Sequence, residues 1–313
     1  MSYLRPPTPN STFADGSLDF DGAATVLGVA PVAGVYTLTS CIIADTITIR
    51  TGARVIPGQY FVMARVLTIE TGAFLSANGN NASGLTAGGS ILAGGYLGWA
   101  AGGGGTGNTR NTITTVAGAT GSGSGGSSVG GTGGSGGNGD TIAGGAGNAS
   151  AALAANQLRY WRSPLFAANG WKMPPTATGT TYTLVNAGGG GGSGGLRITA
   201  AGGDSLNSGA GGGSGGILCV YAGVLNNQGT IEALGGNGSN ATVGGPAVTG
   251  TVGGGGGGAG GAIHLTCDRL VSAGTFSVAG GSGGAGAGSV LANATGFQGS
   301  PGTLCLFLRG EAI

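Results

Sequence analysis

The chain has 313 residues, 78 of them glycine, with 11 basic and 10 acidic residues and a net charge of +1. Glycine costs about 1 kcal/mol per helical position relative to alanine, so a helix-rich fold is disfavoured. Collagen is excluded by the lack of a Gly-X-Y register and by only ten prolines, and the near-zero charge leaves no basic field for nucleic acid.

In chain order, the start MSYLRPPTPN has no apolar stretch after its arginine, so no secretory signal is expected, and residues 1–34 read as an N-terminal attachment segment. Asp15, Asp19 and Asp21 lack EF-hand spacing and read as a solvated acidic turn rather than a calcium site. Residues 35–83 read as β-solenoid rungs. YTLTSCIIADTITIRTGARVI and FVMARVLTIETGAFLSA are rich in β-branched residues, alternate in part, and are broken by turns at Thr51-Gly52, Pro57-Gly58 and Thr71-Gly72. No single rung could bury its own Ile, Val and Leu side chains, but a stack of rungs could.

Residues 84–195 read as a glycine-rich and aromatic insertion. Two accounts compete for the glycine tracts here, at 186–216 and at 253–258. One is flexible linkers. The other is polyglycine-II, extended three-fold helices that hydrogen-bond sideways to one another, where only glycine permits close approach. Apolar interruptions (Ile91, Leu92, Tyr96, Leu97, Trp99) favour the packed account, while Asn108 to Gly147 has almost no large residue. The segment 151–186 is different. Tyr160, Trp161, Arg162, Phe166, Trp171 and Lys172 gather there, and aromatic and arginine side chains are the usual binding hot spots.

Residues 196–313 read as solenoid repeats with glycine-rich excursions. Three segments align without gaps, starting at Gly72, Gly229 and Gly274, with Phe74, Ile231 and Phe276 in one slot. Short apolar strands follow the glycine stretches at Ser90-Ile-Leu, Ile217–Tyr221, Ile263–Cys267 and Leu304–Leu308. The later copies are spaced by roughly 40 to 46 residues, a period that marks solenoids and arrays. The fold class expected is therefore all-β: a β-solenoid of short stacked strands with long glycine-rich loops, partly polyglycine-II.

Chemistry is sparse. Cys41, Cys219, Cys267 and Cys305 form no CxxC pair and lie in apolar runs, as small buried residues do, with disulfides as the alternative. His264 is the only histidine, set in an apolar strand without a carboxylate or cysteine cluster beside it in sequence. GxGxxG matches arise by chance in so much glycine, and no GxxxxGK[ST] is present. No cofactor, metal or catalytic residue is expected, and no apolar run of membrane-spanning length is visible.

The stretch FADGSLDFDGAATVLGVAPVAGVYTLTSCIIADTITIRTGARVIPGQYFVMARVLTIETGAFLSANGNNASG resembles glycine-rich virion proteins of tailed bacteriophages. Those proteins share a "DGS..FDG" start, a "YTLT....DTITI..GA.V" run and a "L.I..GA..S.NG" step before long glycine tracts. The tracts are also similar to distal tail-fibre adhesins that pack polyglycine helices. The resemblance implies a non-enzymatic virion component: a fibre or spike adhesin contacting the host surface, or alternatively a capsid decoration, collar or head-fibre piece. It implies other virion proteins as partners, a bacterial surface receptor for the adhesin, and a homotrimer. An ice-binding polyglycine surface is a third, more remote reading.

Overall fold

The computed structural model describes residues 15–58, 60–89, 104–107, 109–110, 115–116, 133–138, 144–146, 191–198, 205–244, 250–288 and 294–308. Among them the chain is all-β, without a helix. The expected strand at Ser90-Ile-Leu lies outside the described residues.

The chain advances as pairs of strands. β1 (Ser17–Phe20) leads to β2 (Val35–Thr37), β3 (Ile42–Ile49) to β4 (Arg54–Ile56), and β5 (Val62–Ile69) to β6 (Phe74–Ser76). Four short strands follow: β7 (Thr109–Arg110), β8 (Thr115–Val116), β9 (Leu196–Ile198) and β10 (Ser205–Asn207). The pairing then resumes with longer first members. β11 (Ile217–Asn227) leads to β12 (Thr230–Glu232), then come β13 (Thr242–Gly244) and β14 (Gly250–Val252). β15 (Ala262–Ser272) leads to β16 (Thr275–Ser277), followed by β17 (Ala287–Gly288) and β18 (Thr303–Leu308).

The first members form a parallel sheet ordered β1-β3-β5-β11-β15-β18, and the second members form a parallel sheet ordered β2-β4-β6-β12-β16. Because the order is the same in both, each strand pair stacks on the one before it. Two small antiparallel sheets, β13-β10-β7 and β17-β14-β9-β8, link the excursions.

The apolar residues explain the stacking. Ile42, Val62, Val220 and Leu265 belong to the inner face of the larger sheet, and Tyr36, Val55, Leu75 and Ile231 line the smaller one. Each such side chain contributes about 1.5–3 kcal/mol when buried. One strand pair alone leaves them wet.

The inward period slips by one residue at a single row. The buried positions run Ile42, Ala44, then Ile47, Ile49 in β3, and Val62, Ala64, then Leu67, Ile69 in β5. Asp45 and Arg65 occupy the skipped row and form an ion pair at 2.6 Å. Gly223 and Asp268 occupy it in β11 and β15. A Cβ at Gly223 would come within 2.7 Å of the Arg65 carbonyl oxygen, so glycine is required in this row.

The gapless alignment of the three steps is only partly reproduced. Ile231 pairs with Phe276, as aligned, but on its other side it pairs with Leu75, not Phe74. The corner between Ile69 and Phe74 is two residues longer than that between Asn227 and Thr230, both ends being in register. Phe74 is thereby displaced outward, where the Arg54 guanidinium stacks over its ring at 4.2 Å.

The β1 end of the column is closed. Val26–Val29 and Val32–Val35 form miniature hairpins whose Leu27-Gly28 and Ala33-Gly34 tips all have positive φ. Tyr36 is fully buried beneath them, edge-on to Phe20 with ring centres 5.0 Å apart. Its hydroxyl accepts from Gly22 N–H and lies within donating distance of Asp21 Oδ1 and the Ala24 carbonyl. Asp21 in turn accepts from the Ala23 and Ala24 amides, and those bonds hold its carboxyl below the usual carboxylate range.

The glycine tracts assemble into a layer whose core is backbone. Residues 253–261 lie at its centre, all buried. Donation rotates with a period of three residues. Gly253 and Gly256 donate to Gly195 and Gly192; Gly254, Gly257 and Gly260 to Ala294, Phe297 and Ser300; Gly255, Gly258 and Gly261 to Ser239, Gly236 and Ala233. Acceptance rotates likewise. Gly209, Gly212 and Gly215 donate to residues 253, 256 and 259; Gly137 and Gly134 to 254 and 257; Gly284 and Gly281 to 255 and 258. The central tract thus touches six neighbours through bonds of 2.7–3.0 Å. A Cβ on Gly256 would overlap the Gly134 carbonyl, and one on Gly257 the Gly281 carbonyl. The spacing exists only because side chains are absent.

Candidate functional site

Tyr160, Trp161, Arg162, Phe166, Trp171 and Lys172, the binding residues expected from sequence, lie outside the described residues. Gly72, Gly229, Gly274, Phe74, Ile231 and Phe276 are placed at corners and in the smaller sheet, where they build the column.

The polar residues flagged in sequence have structural partners. Asp15 accepts from Ile43 N–H, Asp19 pairs with Arg50 at 2.9 Å, and Asp21 caps the turn above Tyr36. The three carboxyls are thus turned to separate tasks. Arg50 also reaches Glu70, and its guanidinium is held charged well above its ordinary value, first by its hydrogen bonds to Asp19.

His264 sits in the larger sheet between Cys219 and Cys305, which oppose it in register on either side. The imidazole is 9% exposed and its Nε2 has no partner. Burial lowers its pKa to about 4 and raises that of Cys219 to about 12, so both side chains are neutral at pH 7. A metal shared by all three does not fit. Neighbouring strands lie about 4.8 Å apart, so the two cysteines are separated by about twice that, and Zn–S bonds of about 2.3 Å cannot span it. The same distance exceeds the reach of a disulfide. All four cysteines are free thiols.

Two surfaces remain. The first is the open end of the column at β18. Leu304, Leu306 and Leu308 are 41%, 36% and 53% exposed on the edge strand, in contrast to the buried Tyr36 at the other end. Val271 and Phe297 are also exposed, at 52% and 56%. A sheet edge with unpaired backbone and apolar side chains is a pairing surface.

The second is an asparagine ladder along the outer line of the glycine layer. Asn78 Oδ1 accepts from Leu234 N–H, Asn81 Oδ1 from Asn237 N–H, Asn237 Oδ1 from Ser282 N–H and Asn240 Oδ1 from Ala285 N–H, each at 2.8 Å. The ladder ties successive tracts together. Beside it runs a groove of about 460 Å³ lined by Asn78, Asn80, Asn81, Leu234, Asn237 and neighbouring glycines. Sequence reasoning overlooked these residues, although the signal was present: Asn78/Asn81 and Asn237/Asn240 are three apart, the turn of an extended three-fold helix.

At the base of the ladder, Glu232 joins distant segments. It is 6% exposed and accepts from Arg54 at 2.6 Å, Asn78 at 2.6 Å and Ser76 at 3.2 Å.

No protein-family model, curated protein or solved structure matches the chain. Among the described residues no group of histidine, cysteine and carboxylate side chains could hold a metal, and no helix is long and apolar enough to cross a membrane.

Proposed function

We propose that the chain is a non-enzymatic structural protein of a tailed-bacteriophage particle, a fibre or spike adhesin that contacts the host surface. Its fold is read as a β-solenoid whose long excursions pack as polyglycine-II. The observation that carries this is the buried tract 253–261, which donates to three neighbours and accepts from three others in strict rotation. Each residue of an extended three-fold helix points its peptide group one third of a turn from the last, and this produces that rotation. Such a body is rigid without a large side-chain core. Tyr160, Trp161, Arg162, Phe166, Trp171 and Lys172 are the proposed contact set, because aromatic and arginine side chains are the usual binding hot spots.

A second reading, a capsid decoration, collar or head-fibre piece, draws support from the exposed leucines of β18. That edge suits docking on another virion protein, or three copies meeting about one axis. The two readings are separated by locating the chain on purified particles by cryo-electron microscopy and measuring binding of the purified protein to host cells. Density at a fibre tip together with saturable cell binding supports the adhesin. Density on the capsid without cell binding selects the decoration, and absence from particles refutes both.

A further inference from the structure

The structure points, we propose, to an uncharged polysaccharide as the ligand of the groove beside the asparagine ladder; this deepens the adhesive reading and rests on it.

The groove offers hydrogen bonding of a particular kind. Asn81 and Asn237 both line it, and both are exposed. Each spends its Oδ1 on an amide of the adjoining tract at 2.8 Å. That bond fixes which way the side-chain amide faces, because only the oxygen can accept. Among the described residues neither Nδ2 has a partner, so both are left as donors. Among the same residues, the carbonyls of Gly79 and Gly235, which also line the groove, have no backbone donor. Donors and acceptors therefore line the same groove. A sugar hydroxyl donates and accepts through one atom, so it satisfies both.

The remaining chemistry narrows the class. Among the described residues no charged side chain lines the groove, which gives an anionic polymer nothing to pair with there. Among the described residues Leu234 and Ala279 are the only apolar side chains in it. That is too little for a hydrophobic ligand, which needs a predominantly apolar wall, but it matches the small C–H face of a pyranose ring. The asparagines are locked before any ligand arrives, so binding orders no further side chain at a point where each immobilised one would cost about 0.5–1.5 kcal/mol. The ladder also repeats from tract to tract, with Asn81 answering to Asn237 and Asn237 to Ser282, which suits a polymer of repeating units.

The test replaces Asn by Asp. Asn81→Asp and Asn237→Asp keep an acceptor for the ladder amide and convert the outward donor into an acceptor. Binding of the full chain to dextran, mannan and galactan is measured by titration calorimetry, and binding to host cells is measured after periodate or protease treatment. The expected result is saturable binding of wild type to at least one polysaccharide. The double variant should weaken it tenfold or more with unchanged melting, and periodate but not protease should abolish cell binding. Equal binding by wild type and double variant overturns the groove while leaving the adhesive reading intact. So does cell binding lost to protease, which selects a protein receptor. Failure of wild type to bind any polysaccharide and any host cell removes both readings.

Discussion

Gly256→Ala is the sharpest perturbation of the glycine layer. Gly256 donates to Gly192 at 2.7 Å and accepts from Gly212 at 2.9 Å, inside a fully buried tract. A Cβ there would overlap the Gly134 carbonyl, which is itself backbone and held by its own bonds. Relief requires the tract to move. Overpacking of this kind costs about 1–3 kcal/mol, and each buried donor or acceptor stripped of its partner costs a further ~1–3 kcal/mol. With one bond lost, a donor and an acceptor are both stripped, so at least about 3 kcal/mol of destabilisation is expected on those terms. Gly89→Ala is the control, because a Cβ there meets only Asn80 Nδ2 at 3.4 Å. Chemical denaturation gives the difference, and hydrogen exchange locates it: amides of 209–215 and 253–261 should lose protection in Gly256→Ala and keep it in Gly89→Ala. If the tracts were slack linkers, alanine would restrict the folded and unfolded chain alike and leave stability nearly unchanged. A neutral or stabilising Gly256→Ala therefore refutes the packed layer.

Other substitutions probe the column. His264 has its folded pKa lowered to about 4, so the unfolded chain binds the proton more tightly; stability is complete above about pH 6.5 and declines as pH falls to about 4. The loss should reach about 3 kcal/mol, and His264→Gln should abolish that part of the pH dependence in denaturant titrations at pH 7 and pH 4. Glu232→Ala leaves Arg54, whose side chain is 29% exposed, without its carboxylate, and should cost about 2 kcal/mol in thermal melts once solvent access is allowed for. Glu232→Gln should recover part of it. Replacing Leu304, Leu306 and Leu308 together by Ser should convert the proposed trimer to monomer in analytical ultracentrifugation, and an unchanged mass would rule out the β18 edge as its interface.

The sequence alone determined the class and much of the spine. The β-branched runs at 42–49 and 62–69 became strands at their expected places, and the repeats beginning at Gly229 and Gly274 stack in register. These features depend on local residue type, and neighbours of similar sequence pair with similar neighbours. Tertiary structure decided what local pattern does not encode. Phe74 left its aligned slot because one corner is longer than another, and gapless alignment assumes equal corners. The inward period slips at Asp45 and Arg65, a row that drops out of the strand pairing across β3, β5, β11 and β15. Glycine composition could not choose between linker and packed helix, since the same residues serve both. The choice rests on which backbones are brought near enough to exchange hydrogen bonds, a property of tracts far apart in the chain.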